Sequence, residues 1–305
     1  MPEIVRLFIG TVALRPYVFA FLLVYAVAGA GHMGWRRMAA FIPLGYGLAW
    51  LSELASIHIG FPYGDYYYIQ DTIDRELWVL GVPFMDSLSY VFLAYCSYAT
   101  AIFILSPTHI GFRGAYVLET RAIRRSWKTL ALGAFLFVLL DVVIDPVALQ
   151  GYRWFLGQIY GYRVQGIYFG IPMSNFGGWL LVGLVLTGAL QALDRIPGLE
   201  PGGDRFFTGF RGAGALGPVL YVSVLVFNLT VTLRIGEELM ALTGTLILFF
   251  TSLPVFFFTL YKQEHLSPPL VERHMADFPR SKAGALRETL HRRLGDGGGP
   301  TGAPC

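Results

Sequence analysis

The sequence predicts an all-α, polytopic membrane helix bundle of about seven transmembrane helices, and three observations carry that prediction. The chain is 55% hydrophobic and 14% charged, whereas soluble domains carry roughly 25% charge. It holds seven apolar runs near the ~20 residues a helix needs to cross a bilayer. A ten-residue motif that opens one run, Gly81–Tyr90 (GVPFMDSLSY), returns 89 residues later as Gly170–Trp179 (GIPMSNFGGW) and suggests an internal repeat.

In chain order the runs fall near 16–31, 39–59, 82–106, 127–145, 171–192, 213–233 and 239–261. The first is short, and Ala28-Gly29-Ala30 resembles a signal-peptide cleavage site. The placement of charge favours a retained span instead. With seven spans, the N-terminal side carries six basic residues (Arg6, Arg15, Arg75, Arg153, Arg163, Arg234), and the other side carries the remaining 17 of the 23. Positive charge stays inside, so a multi-pass cell-membrane protein with its N-terminus outside and its C-terminus in the cytoplasm is expected. A cleaved leader would invert that order.

Pro83 and Pro172 suit the first turn of a helix, where the missing N–H costs nothing. They mark two helix starts, with Asp86 and Asn175 one turn inside. Pro146 is expected to end the fourth span. Residues 1–261 read as the bundle that carries the active site, and 262–305 as a polar, partly disordered cytoplasmic tail. Within it, 283–294 could form a short amphipathic surface helix. Cys96 and Cys305 make no disulfide framework. A net charge of +3 gives no nucleic-acid signature, so no nucleic-acid partner is expected.

The polar residues inside the runs point to a site. An ionisable residue within a membrane helix is a functional candidate by default. Glu53 lies near the end of the second run, Asp86 near the start of the third, Asp141 and Asp145 near the end of the fourth, and Asn175 near the start of the fifth. Consecutive spans alternate in direction, so all five belong to one slab on one side of the membrane. Asp141 and Asp145, spaced i, i+4, share a helix face.

The two loops on that side are rich in aromatics: eight over 60–90 and nine over 151–179. An interfacial aromatic belt would account for part of this. Aromatic faces also stabilise cations, and a carboxylic acid kept from water can hold a proton and deliver it. Tyr63, Tyr66, Trp78, Tyr90, Trp154, Tyr168 and Trp179 are therefore candidate substrate-binding residues, beside candidate catalytic Asp141, Asp145, Asp86, Glu53 and Asn175. Carbocation chemistry on an apolar isoprenoid fits this set. Spans two–three and four–five read as parallel copies. Asp86 aligns with Asn175, Tyr90 with Trp179 and Tyr63 with Tyr152, while Glu53 and Asp141 are one residue out of register.

Glu53 followed by Gly60-Phe-Pro-Tyr-Gly-Asp-Tyr66, Gly81-Val-Pro, Asp141-Val-Val-Ile-Asp-Pro146 and the Gly170–Trp179 motif resembles the carotenoid 1,2-hydratases. These are membrane proteins of the γ-carotene and bisanhydrobacterioruberin hydratase type, and the resemblance covers about residues 35–260. It implies addition of water across the terminal C1=C2 bond of an acyclic (ψ) end group, giving a tertiary 1-hydroxy carotenoid without a cofactor. The substrate would be lycopene, γ-carotene or a relative, taken from the lipid bilayer. In that reading Asp141 or Asp145 donates the proton, Asp86 and Asn175 hold the water, Glu53 orients the donor, and no metal is called for. The acid and water roles are interchangeable.

Two other readings stand beside it. In a prenyltransferase-like enzyme, Asp141-x-x-x-Asp145 would hold Mg²⁺ and a diphosphate, and Arg153 and Arg163 would be the basic residues nearest that face. A non-enzymatic seven-helix transporter would show ion flux and no product. A retinal protein needs a lysine inside a span, yet Lys128, Lys262 and Lys282 lie at or beyond span ends.

Overall fold

A computed structural model describes residues 2–111, 114–199, 212–279, 281–284 and 286. Seven of its helices are long and apolar enough to cross a membrane: α2 (Pro16–Met33), α3 (Trp35–Ile59), α4 (Phe84–Leu105), α6 (Trp127–Leu149), α7 (Met173–Leu193), α8 (Ala213–Arg234) and α9 (Glu238–Glu264). They match the seven apolar runs. Three shorter helices, α1 (Glu3–Leu14), α5 (Arg121–Arg124) and α10 (Pro268–Asp277), lie outside the spans. Much of the expected tail, including most of 283–294, lies outside the described residues.

Helix α4 is the hub, with every residue from Tyr90 to Ala99 buried. It packs on α2, α3, α6, α7 and α8. Helix α9 sits at the edge and turns Leu239, Phe249, Phe250, Phe256 and Phe257 outward. With its backbone bonded internally, such a helix is suited to lipid.

The internal repeat is visible in the backbone. Pro83 and Pro172 immediately precede α4 and α7. Each follows a tight hairpin in which Val79 faces Val82 and Tyr168 faces Ile171. The two-residue connections, Leu80-Gly81 and Phe169-Gly170, all have positive φ: 51° and 83° in one copy, 49° and 88° in the other. Such connections match the twist of hairpin strands. A bulky residue with positive φ is uncommon, so its recurrence at the same motif position marks common architecture.

The copies meet at a strand pair. The strand Tyr66–Tyr68 runs antiparallel to the strand Tyr160–Tyr162, with Tyr66 opposite Tyr162, Tyr67 opposite Gly161 and Tyr68 opposite Tyr160. Side chains at i and i+2 share a strand face. Tyr66, Tyr68, Tyr160 and Tyr162 therefore point together into the bundle, while Tyr67 faces out under the Arg163 guanidinium.

One sequence expectation needs correction. Pro146 does not end its helix, because α6 continues to Leu149. A proline inside a helix frees the carbonyl four residues earlier, and the Tyr168 hydroxyl donates to that carbonyl, Val142 O, at 3.1 Å. The N-terminal segment before the first span forms a helix of its own. Helix α1 lies along the loop 69–77, where Thr11 Oγ1 accepts from the Leu77 N–H at 2.8 Å. A Cβ at Gly10 would fall 1.8 Å from Arg75 O, so only glycine permits this approach. Ile4, Phe8 and Ile9 remain exposed on its outer side, as in a helix that lies in a membrane interface.

At the end of the bundle away from the repeat motif, buried acids meet buried bases. Arg37 and Arg125 donate to the Asp194 carboxylate at 2.8 and 2.7 Å. Arg124 reaches both Asp194 (3.3 Å) and Glu119 (2.6 and 3.0 Å). His32 Nε2 lies 2.9 Å from Glu119 Oε2.

Candidate active site

Alternating helix direction brings the end of α3, the start of α4, the end of α6 and the start of α7 to one level, under the Tyr66–Tyr68 and Tyr160–Tyr162 strand pair. Glu53 on α3 is 4% exposed. Its Oε2 accepts from the Tyr66 hydroxyl and lies 2.9 Å from Tyr68 Oη, and its Oε1 accepts from Tyr90. Tyr68 Oη also contacts Asp86 Oδ2. On α6, Asp145 Oδ1 accepts from Tyr160, while Oδ2 accepts from Tyr162 at 2.7 Å and from Asn175 Nδ2 at 3.2 Å. Asn175 Nδ2 donates as well to Asp141 Oδ2 at 2.7 Å.

Each copy thus supplies one carboxyl that receives two tyrosine hydroxyls from its own Tyr-x-Tyr strand. By this criterion the counterpart of Glu53 is Asp145. That differs from the near-register match to Asp141, because the loops joining helix, strand and motif differ in length between the copies. Burial, and then the neighbouring Asp86 and Glu53, push the Tyr68 phenol well above its ordinary pKa. Burial, and then Asp145, do the same to Tyr160. These phenols keep their protons and act as donors.

A pocket opens beside the carboxyls. Glu53, Asp86, Asp145 and Asn175 line its head, with Tyr63, Tyr66, Tyr90, Trp154 and Trp179 among the candidate aromatics. Trp179 stacks on Tyr90 (centroids 5.0 Å apart, planes at 23°) and packs on Phe137 at 4.6 Å. Below the head the wall is largely apolar: Phe21 from α2, Phe92 and Leu93 from α4, Val224 and Phe227 from α8. Tyr17 of α2 stacks on Phe227 at 5.5 Å.

Three predicted residues stand behind this lining. Asp141 is fully buried and reaches the site through Asn175, and its Oδ1 has no hydrogen-bond partner among the described residues. Trp78 belongs to the hairpin before α4 and packs edge-on against Tyr68 at 6.0 Å. Tyr168 serves the Val142 carbonyl. The structure adds residues that the sequence reading left out of the site. Tyr68, Tyr160 and Tyr162 hold the carboxyls, and Tyr17, Phe227 and Asn228 complete the wall. The Tyr-x-Tyr spacing in both loops was the available signal for the first three, since it puts two hydroxyls on one strand face.

The arginines on this side are engaged elsewhere. Arg15 is buried and donates to both oxygens of Glu76 (3.0 and 2.9 Å) and to Leu156 O. Arg153 pairs with Glu237, and Arg163 with Asp65 at 3.0 Å. Arg153 and Arg163, the bases a bound diphosphate would call on, are thus spent in other pairs.

Fold and site together define a polytopic membrane protein whose bundle encloses an apolar pocket headed by carboxyl and phenol groups. The chain matches the family model described as carotenoid biosynthesis protein over residues 10–251, and it belongs to that family. No curated protein and no solved structure matches it. Membership places it in carotenoid biosynthesis, and the seven apolar helices fit a carotenoid substrate in a lipid bilayer.

Proposed function

We propose that this protein is a carotenoid hydratase that adds water across the terminal C1=C2 bond of an acyclic end group to give a tertiary 1-hydroxy carotenoid. One observation carries the reading: two of the carboxyl groups that head a single, largely apolar pocket are each held by tyrosine hydroxyls and, among the described residues, by no cation. A polyene end fits the wall, and its last double bond can come to lie beside the acids. Proton transfer to C2 leaves a tertiary cation at C1. The stacked Tyr90–Trp179 pair offers that cation an aromatic face, and water attacks C1.

Of the two aspartates on α6, Asp145 reaches the pocket, and Asp141 acts through Asn175 as a positioning residue. With the N-terminus outside, the pocket head lies toward the non-cytoplasmic surface.

The test is expression in a lycopene- or γ-carotene-producing host. The expected products are heavier than the substrate by one water, carry ¹⁸O when labelled water is supplied, and gain one carbon-bound deuterium in D₂O. Oxygen drawn from O₂, or no product heavier by one water, would refute the hydration.

A further inference from the structure

The two halves of the site look alike, but their hydrogen bonds require different numbers of protons. In the second copy Asp145 is surrounded only by donors: the Tyr160 and Tyr162 hydroxyls and the Asn175 amide. Every contact is satisfied by an ionised carboxylate, which accepts and cannot donate. Two charge-assisted hydroxyl bonds and one amide bond offset much of the cost of burying that charge.

The first copy differs. Tyr68 Oη sits between Glu53 Oε2 and Asp86 Oδ2, in hydrogen-bond contact with both. A phenol has one proton to give, so one contact is made by Tyr68 donating and the other by a carboxyl donating to Tyr68. Glu53 already accepts from Tyr66 and Tyr90. Among the described residues no other side-chain hydrogen bond reaches the Asp86 carboxyl. The second proton therefore belongs on Asp86, which gives the chain Asp86–H to Tyr68 and Tyr68–H to Glu53. Asp86 is also less enclosed than Glu53 and Asp145, and it lines the pocket. Its counterpart in the other copy, Asn175, has no acidic proton to give. The substitution of Asn for Asp at one motif position is what makes the site asymmetric.

We infer that Asp86 is the proton donor and Asp145 the base, with Tyr68 holding the donor's proton in place against the anionic Glu53. The inference rests on the hydratase reading and reverses the roles expected from sequence. In balance, the Asp86 carboxyl proton passes to C2 as the π pair forms the new C2–H bond. Glu53 and Asp145, both ionised, flank the positive charge left at C1 and stabilise it electrostatically. The water oxygen bonds to C1 and its proton goes to the Asp145 carboxylate. Pocket water then carries that proton back to Asp86, so the enzyme ends as it began and the net change is one alkene plus one water to one alcohol.

The experiment uses the full-length protein in lipid vesicles, lycopene as probe, and D₂O. Without its base, an enzyme that can still protonate C2 forms a cation that returns a proton to Asp86. Recovered lycopene then acquires deuterium. Asp145→Asn is therefore expected to lose hydration by 100-fold or more while deuterium enters unhydrated lycopene, and Asp86→Asn to lose both. Tyr68→Phe is expected to slow hydration and exchange by the same factor, about tenfold, whereas Tyr162→Phe slows hydration and spares exchange. A purely structural role for either tyrosine would not split the two readouts.

The reverse pattern, exchange kept in Asp86→Asn and lost in Asp145→Asn, overturns the assignment and makes Asp145 the acid. Loss of exchange in both variants, with wild-type-like folding by thermal unfolding, also overturns it. Wild-type protein that neither hydrates lycopene or γ-carotene nor exchanges deuterium into them refutes the hydratase reading itself, and the assignment falls with it.

Discussion

Two clusters of buried carboxylates, one at each end of this bundle, are held in opposite ways. At one end Glu119 and Asp194 are surrounded by Arg37, Arg124, Arg125 and His32. Burial opposes the charge on Glu119, but Arg124 and then His32 outweigh it and hold the carboxyl well below its usual range. At the other end Glu53 and Asp145 are equally buried, and their partners are phenols and an amide. An acid fixed against arginine is a strut, because its proton is gone and its position is set by ion pairs. An acid held by hydroxyls can still gain or give a proton without losing its place.

The largest expected contrast comes from altering one acid at each end. Asp145→Asn should remove activity by about 10²–10⁴-fold, the usual worth of a general acid or base, with little change in thermal stability in detergent. Glu119→Ala should leave Arg124 buried with a partner missing, and breaking such a pair costs about 3–5 kcal/mol. Its signature is loss of folded protein, measured by size-exclusion recovery and melting temperature. If Asp145→Asn unfolds the protein as readily as Glu119→Ala does, the two ends are not functionally distinct.

Next in size are the hydroxyls. Tyr160→Phe and Tyr162→Phe each remove one bond to Asp145. A hydrogen bond to a charged group is worth about 1.5–3 kcal/mol, so each change should lower kcat by about 10- to 100-fold while KM for the carotenoid moves little. Phe227→Ala probes the apolar wall instead. It removes the ring stacked on Tyr17 and should raise KM several-fold with kcat nearly kept. Equal effects on kcat from wall and head would dissolve the distinction between them.

Much of the first contrast was legible in the sequence. Seven apolar runs gave the spans, because a bilayer demands length and hydrophobicity and little else. Alternating direction alone placed Glu53, Asp86, Asp145 and Asn175 at one level. The holding groups were harder to see. Tyr68 and Tyr162 meet their acids only once their two strands pair, across 94 residues of chain between the equivalent strand positions Tyr66 and Tyr160. The charged end was also hidden: Arg37, Arg124 and Arg125 were counted as topology signals, and nothing in their spacing shows that they converge on Asp194. Pro146 misled for a local reason, since its relief comes from Tyr168, 22 residues further on.

The smallest predicted effect sharpens the strut side of the comparison. His274 of α10 is buried, its Nδ1 lies 2.6 Å from Glu119 O, and its Nε2 lies 2.7 Å from Ser281 Oγ. Around it, Asp277 Oδ2 accepts from the Arg121 N–H at 2.8 Å, and Phe278 lies under the Arg124 guanidinium at 4.8 Å. Burial lowers the His274 pKa, opposed by the bond to Glu119 O. The unfolded segment therefore takes up a proton at a higher pH than the folded one. Stability from this residue is complete above the unfolded value of about 6.5 and falls as pH drops from there through the folded value. Glu119, whose own pKa is depressed, keeps its contribution across that window and loses it only in stronger acid. Protection factors over residues 268–277, taken against the intrinsic exchange rate at each pH, should accordingly fall between pH 7.5 and 5.5 while the spans stay protected. His274→Asn should abolish that pH dependence. Protection factors that rise on acidification would mean that His274 gains a partner when charged, and that α10 is held by charge as firmly as the arginine cluster beneath it.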